Sequence, residues 1–163
     1  TNVTRDAAID LGRSTARFKD LYLSGGVYLG GTGAANKLDD YEEGTFTPTV
    51  VTGTVTSSTA QYTKIGQLVT VRGLLHVFSD RSSANAVEIS NLPFTAKSTT
   101  GANGAVFARY CTISLTSTFI VGSTTRCQFY NTNPTGNYEA LTHSDLSSSL
   151  SAIYFMVSYE TDS

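Results

Sequence analysis

The sequence predicts an all-β protein in which an antiparallel, jelly-roll-like β-sandwich head follows a short, intertwined N-terminal β shaft. Threonine and serine make up 44 of the 163 residues; Thr is β-branched and suits strands, while Ser and Gly form turns. Alternation of apolar and polar residues recurs from residue 45 onward, with turn residues between the runs. Only 15% of the residues are charged, against roughly 25% in an average domain, so the surface is rich in hydroxyl groups.

The first 40 residues are predicted to form a shaft and trimerisation segment that ends in a linker. The apolar, glycine-ended run at 21–26 is followed, at a period of six, by a similar run at 27–31. Two strands of three residues cannot bury their apolar faces alone, so neighbouring chains are expected to cover them. A flexible tether is the alternative, but Leu, Val and aromatic residues are unusual in tethers.

Residues 36–44 concentrate four carboxylates and are interpreted as a hinge or linker before the head at 41–163. Their spacing lacks the alternating ligands and the central Gly of an EF-hand loop, so no metal site is predicted there.

The head is predicted to contain seven or eight strands, which fit a sandwich of two sheets. The candidate strands lie at 45–50, 67–78, 86–90, 104–115, 118–121, 124–130 and 151–159.

The run at 67–78 is the strongest strand candidate. Alternation places Val69, Val71, Leu75 and Val77 on a core face. The opposite face, which includes Phe78, mixes apolar with polar side chains. A strand that is partly apolar on both faces is expected to pack a second surface, such as a neighbouring subunit.

The run at 104–115 places Phe107 on the inward face together with Arg109, and this creates a conflict. An unpaired buried charge is costly, so either a bulge shifts the register or Arg109 pairs with a carboxylate such as Glu88. Both solutions stay open at this stage.

The last strand is predicted to bury one face through strict alternation. The inward residues are Ser151, Ile153, Phe155, Val157 and Tyr159.

Two cysteines, Cys111 and Cys127, fall on predicted inward faces. A disulfide, reduced core thiols and a bridge between chains are all compatible with their spacing. Reduced core thiols are favoured, because free cysteine is among the most buried residue types.

Charge and hydropathy exclude two classes of partner. The formal net charge is -2 and no basic run is present, so the sequence predicts no nucleic-acid binding. No apolar run approaches the roughly 18 to 20 residues that span a bilayer, so no membrane insertion is expected. The chain begins with Thr, so we expect it to be a piece of something longer.

The sequence predicts no catalytic residues, no cofactor and no metal. His143, Ser144 and Asp145 have the residue types of a hydrolytic triad, but a triad brings its members together from separate elements. A glycosidase needs two carboxylates across a sugar. Asp80 with Asp145, or Glu139 with Asp145, remain possible pairs.

A binding surface is predicted in the loop at 130–139, which combines rings, amides and a carboxylate. Aromatic faces stack on sugar rings, while amides and carboxylates hydrogen-bond sugar hydroxyls, so the loop is suited to a carbohydrate. The candidate ligand-binding residues are Tyr130, Asn131, Asn133, Asn137, Tyr138 and Glu139. An ordinary polar turn is the alternative. Asp80 and Arg81, in the loop at 79–85, form a second, weaker candidate.

Several motifs resemble those of a known family. The segments at 10–14, 17–23 and 26–30 resemble the short shaft of tail fibres and tail spikes of tailed bacteriophages. The segments at 38–48, 62–66 and 92–94 look like the start of their C-terminal head domains. The similarity covers about the first 95 residues and thins beyond them.

This resemblance implies a homotrimeric fibre tip on the virion, outside the host cell, that binds a bacterial surface receptor such as lipopolysaccharide or capsule. It carries over no binding residue, because the matched motifs are structural. Two alternatives remain open: a glycan depolymerase, and a purely structural trimerisation or decoration module of the virion.

Overall fold

A computed structural model describes residues 7–98, 102–120, 123–132 and 135–162, and within them the protein is all-β. It divides into two compact units, Thr1–Asp39 and Asp40–Ser163. The strands in chain order are β1 (Val27–Tyr28), β2 (Lys37–Leu38), β3 (Tyr41–Phe46), β4 (Val55–Ile65), β5 (Leu68–Phe78), β6 (Glu88–Ile89), β7 (Ala102–Arg109), β8 (Ser117–Ile120), β9 (Cys127–Thr132), β10 (Tyr138–Ala140) and β11 (Ala152–Glu160). Short 3-10 helices lie at Ala34–Asn36 and His143–Asp145. In this part of the chain no helix is long and apolar enough to cross a membrane.

The first unit contains little secondary structure of its own. β1 and β2 form a two-stranded antiparallel sheet. The predicted strand at 21–23 is not a strand in the single chain. Eight large apolar side chains of this unit are more than half exposed: Ile9, Leu11, Phe18, Leu21, Tyr22, Leu23, Tyr28 and Leu29.

The second unit is built on one large antiparallel sheet of nine strands. Its order is β10-β9-β8-β7-β11-β5-β4-β3, and β6 pairs with β9 on the edge opposite β8. The last strand in the chain, β11, therefore lies in the centre and pairs with β5 on one side and β7 on the other.

The core lies on the inner face of this sheet. β11 buries the residues that its alternation predicted, including Ile153, Phe155 and Val157. Leu92, Leu141 and Leu146 lie outside the strands and are buried in the same core, so connecting segments cover the inner face.

Two corrections to the predicted faces have the same backbone cause. Val77 has φ +60°, which rotates the end of β5 and buries Phe78 instead of Val77. Tyr110 has φ +55° and separates β7 from the following segment. Consequently Phe107 is 63% exposed, not inward as predicted, while Cys111 packs against the core.

The acidic segment is also more ordered than a linker, because 41–46 forms β3. Its carboxylates have local partners: Asp40 pairs with Lys64, and Glu43 accepts a hydrogen bond of 2.9 Å from the Tyr41 hydroxyl. Asp39 lies 2.9 Å from the ammonium group of Lys37.

Candidate functional site

The predicted binding loop is the β9–β10 hairpin. Tyr130 pairs with Ala140 and Thr132 with Tyr138, so the two tyrosines lie on one face of the sheet. The interpretation of 130–139 as one long loop was therefore wrong at both ends, where the backbone is paired. Asn133 lies outside the described residues.

Three aromatic rings meet on the outer face of this hairpin and its neighbour β8. The Tyr130 ring centroid lies 5.3 Å from that of Tyr138, at 84°, and 6.1 Å from that of Phe119, also at 84°. Both geometries are edge-to-face, the arrangement that aromatic pairs favour. Tyr138 is 77% exposed. We call Phe119, Tyr130 and Tyr138 the aromatic patch.

A chain of polar contacts adjoins the aromatic patch and holds its central ring. The Tyr130 hydroxyl donates to Oε1 of Gln128, and Nε2 of Gln128 donates to Oε2 of Glu88 at 2.6 Å. Nη1 of Arg126 lies 3.2 Å from the other oxygen of Glu88. Glu88 is buried and its charge is compensated, whereas Arg126 is exposed. These contacts hold the Tyr130 side chain in one orientation on the sheet.

The Tyr130 hydroxyl remains a hydrogen-bond donor at neutral pH. Partial burial raises its pKa above 10.0, and the neighbouring Tyr138 and Glu88 raise it further. A neutral, oriented phenol beside an exposed ring suits an uncharged ligand that carries hydroxyl groups.

The remaining candidates at this hairpin differ in accessibility. Asn137 and Glu139 are exposed, and Asn131 is half-buried opposite Glu139.

The second candidate loop is stabilised by its own carboxylate. Oδ1 of Asp80 accepts hydrogen bonds from the backbone N–H groups of Ser82 and Ser83, at 3.0 and 3.3 Å. The Ser83 hydroxyl and these N–H groups lower the pKa of Asp80 from 3.8 to about 2. Arg81 is exposed. The structure therefore gives Asp80 a role in the turn itself, and no contact among the described residues joins this loop to the aromatic patch.

His143, Ser144 and Asp145 do not form a triad. Nδ1 of the fully buried His143 faces the backbone oxygen of Asp80 at 3.0 Å. Asp145 closes a capping box with Thr142 and accepts a hydrogen bond of 2.7 Å from the Thr112 hydroxyl. The imidazole and the carboxylate thus have separate structural partners.

Asp80 and Asp145, two of the three carboxylates considered for glycosidase chemistry, are unsuited to the acid role. Burial raises the pKa of Asp145, but hydrogen bonds from Thr142 and Thr112 outweigh it, and the pKa is lowered below 3.8. Asp80 is shifted in the same direction. Each is ionised at neutral pH, whereas a glycosidase acid must hold its proton. Among the described residues no group of three or more His, Cys, Asp or Glu is placed to hold a metal ion.

Sequence reasoning missed the residues that support the aromatic patch. Alternation along 124–130 buries Cys127 and Phe129, and it therefore directs Arg126, Gln128 and Tyr130 outward. That signal was available. The contact between Glu88 and Arg126 could not be predicted in this way, because it depends on the pairing of β6 with β9. In the structure Glu88 pairs with Arg126 and not with Arg109, as had been suggested.

Comparisons of the chain with protein-family models, with curated proteins and with solved structures found no match.

Proposed function

We propose that the protein is the tip of a tailed-bacteriophage tail fibre and attaches the virion to a glycan on the bacterial surface. The glycan belongs to lipopolysaccharide or capsule, and binding is non-covalent. In this proposal three chains form a homotrimer whose shaft is intertwined, and each head is a jelly-roll-like sandwich.

The aromatic patch carries the proposal. Tyr138 exposes most of its surface, and its ring packs edge-to-face on that of Tyr130. Aromatic rings offer apolar area with little entropy to lose, which suits the C–H face of a sugar. The hydroxyl-rich surface around it supplies uncharged hydrogen-bond partners, including Thr116 and Thr132.

The exposed apolar residues of the first unit support the homotrimer. A segment that leaves eight large apolar side chains in water gains stability when other chains cover them, by about 1.5 to 3 kcal/mol for each side chain fully buried. Three sites on one tip then raise apparent affinity by roughly 10² to 10⁴, if they engage together.

The two alternatives have less support. A depolymerase needs a protonated carboxyl group across a groove from a second carboxylate, and Asp80 and Asp145 are both ionised and engaged in turns. A purely structural module has no use for an exposed ring beside a tyrosine that a four-residue polar chain anchors to the buried Glu88.

The test compares two exposed tyrosines. Tyr138→Ala is expected to lower binding to host cells by about tenfold or more per trimer, because avidity multiplies the loss at each site. Its control is Tyr41→Ala on β3, a tyrosine that is 58% exposed at the opposite edge of the sheet. Both variants should unfold within about 0.5 kcal/mol of the parent chain.

Two results would count against the proposal. One is unchanged adsorption of Tyr138→Ala to cells that bind the parent chain. The other is release of reducing sugar ends from host polysaccharide by the purified protein, which would favour the depolymerase.

A further inference from the structure

The outer face of the central strands carries an apolar row in addition to the core beneath it. Tyr154 of β11 pairs with Leu74 of β5 on one side and with Phe107 of β7 on the other. The rings of Phe107 and Tyr154 lie 6.0 Å apart. Phe107 is 63% exposed and Tyr154 42%. Three adjacent strands thus carry large apolar side chains in one line on the outer face, where Phe107 and Tyr154 are exposed and Leu74 is half-buried.

The next row along the same strands extends this surface. Met156 is 50% exposed, and Ala105 is its partner on β7. Both rows line a trough of about 1030 Å³ that crosses the sheet from β3 to β7. We call Leu74, Ala105, Phe107, Tyr154 and Met156 the apolar face.

A contiguous apolar face on a soluble domain indicates an interaction site. In an antiparallel sheet with one face on the core, the other face is ordinarily polar. β11 departs from this pattern, because it carries large apolar side chains on both faces. Phe155 and Val157 are buried on the inner face, while Tyr154 and Met156 are exposed on the outer face.

The charges on the outer sheet surface favour a second copy of this chain over a partner of one strong charge. The register places Arg72 and Arg109 on this side of the sheet, and Glu43 and Glu160 on the same side nearer its other end. Because these two positive and two negative groups balance, this part of the outer surface has no net charge. Like charges therefore do not oppose the approach of a second copy of the chain.

The first unit supplies the same occupant at high local concentration. In the homotrimer proposed above, other chains cover its exposed apolar residues, and chains joined through that segment would hold their heads near one another at roughly millimolar effective concentration. Even a weak contact between heads is then formed.

We propose that the apolar face is the contact surface between the heads of neighbouring copies of this chain. The inference rests on the self-association proposed above and is independent of glycan binding. The aromatic patch lies on β8 to β10 and the apolar face on β5, β7 and β11, so one surface binds other copies and the other stays available to the host.

Thiol labelling of the full-length chain tests this contact. Ala105→Cys places a thiol on the apolar face, and Val51→Cys places one on an exposed connecting segment, where Val51 is 48% exposed. The native thiols give little background near neutral pH, because burial raises the pKa of Cys111 to about 11 and that of Cys127 to about 12.

In the assembled protein, Ala105→Cys should react about tenfold or more slowly than Val51→Cys, since a neighbouring head covers it. The two rates should become equal in guanidinium chloride. Met156→Cys is the second variant on the apolar face and should show the same protection. Light scattering on each variant reports whether the chains are associated.

Equal labelling of Ala105→Cys and Val51→Cys in an associated protein would overturn the inference while leaving the proposed homotrimer intact. A monomer at micromolar concentration would overturn both. Slow labelling of the cysteine variants on the apolar face, with host-cell binding unchanged, supports the inference. Loss of cell binding by Tyr138→Ala is a separate result that tests the glycan site.

Discussion

The aromatic patch and the apolar face are both exposed parts of one sheet, and they differ in what lies between their rings. In the aromatic patch, the Tyr130 hydroxyl is connected through Gln128 and Glu88 to Arg126. In the apolar face, Phe107 and Tyr154 are neighbours of Leu74 and Met156, and a polar contact is made at one end, where Arg109 hydrogen-bonds Tyr154. Rings with oriented polar neighbours suit a hydrated ligand, while rings among aliphatic groups suit a dry contact with protein.

The strongest test of this comparison concerns the two sides of β11. Phe155 is buried and packs edge-to-face on Phe129, with ring centroids 6.0 Å apart. Phe155→Ala should lower the free energy of unfolding by about 3 to 5 kcal/mol through cavity formation. Met156→Ala, one residue along and half exposed, should cost about 1 kcal/mol or less in a dissociated chain. Denaturant unfolding measures both, and equal losses would show that the apolar face is core.

The next largest effect is expected in β7, the strand of the apolar face that pairs with β8 of the aromatic patch. A Cβ atom on Gly104 would overlap the carbonyl oxygen of Met156 and lie 2.6 Å from Oγ1 of Thr118. Gly104→Ala should therefore force β7 away from β11, at a cost of about 1 to 3 kcal/mol. Gly136→Ala is a poor control because of its positive φ, whereas a Cβ on Gly25 meets nothing within 4 Å in the single chain, so Gly25→Ala should leave the unfolding of the second unit unchanged. Thermal unfolding distinguishes the two.

Removing the polar chain should affect the aromatic patch alone. Glu88→Ala leaves Gln128 and Arg126 without their acceptor and should cost about 1 to 3 kcal/mol. Cell binding should also weaken, because Gln128 is then no longer held in place to accept the Tyr130 hydroxyl. The matched change near the apolar face is Arg72→Ala, which removes an exposed pair of 2.8 Å with Gln61. That change should cost about 0.5 kcal/mol or less. Equal costs would contradict the distinction between the two surfaces.

A further prediction concerns a loss of stability at alkaline pH. Burial raises the pKa of Cys127 from 9.0 to about 12 and that of Cys111 to about 11. The unfolded thiols ionise first, so their contribution is complete below pH 9 and is lost as the pH rises from 9 toward 11 to 12. Replacing both cysteines with Ala should make that decline shallower, which denaturant unfolding across this range would detect. An unchanged slope would show that the thiols are accessible.

Alternation predicted those strands whose inner face is strictly apolar. β11 and most of β5 were anticipated because their buried residues recur at every second position. β4 was missed, since its sequence is dominated by Thr, Ser and Gln, and its position is fixed by pairing with β5 along almost its whole length. Phe107 was assigned to the wrong face because the reversal at Tyr110 leaves no mark in the pattern.

The candidate site was predicted in its ring chemistry and missed in its support. Tyr130 and Tyr138 were chosen by composition, and the structure brings them together. Phe119 and Glu88 both pair with Gln128 of β9. Phe119 is 9 residues from Gln128 in the sequence, and Glu88 is 40 residues from it. Local sequence does not encode such pairings, which depend on the whole sheet.

The central position of β11 has a consequence for how the chain acquires this structure. During synthesis β11 emerges after every other strand, yet it joins the half-sheet β3–β5 to the half-sheet β7–β10. Until it arrives, the edges of β5 and β7 are open to any unpaired strand nearby, including those of a sister chain on the same polysome. Closure requires contacts between distant parts of the chain, which makes folding slow. The yield of correctly folded protein should therefore fall when translation of the residues before β11 is slowed, because the two edges then stay open for longer.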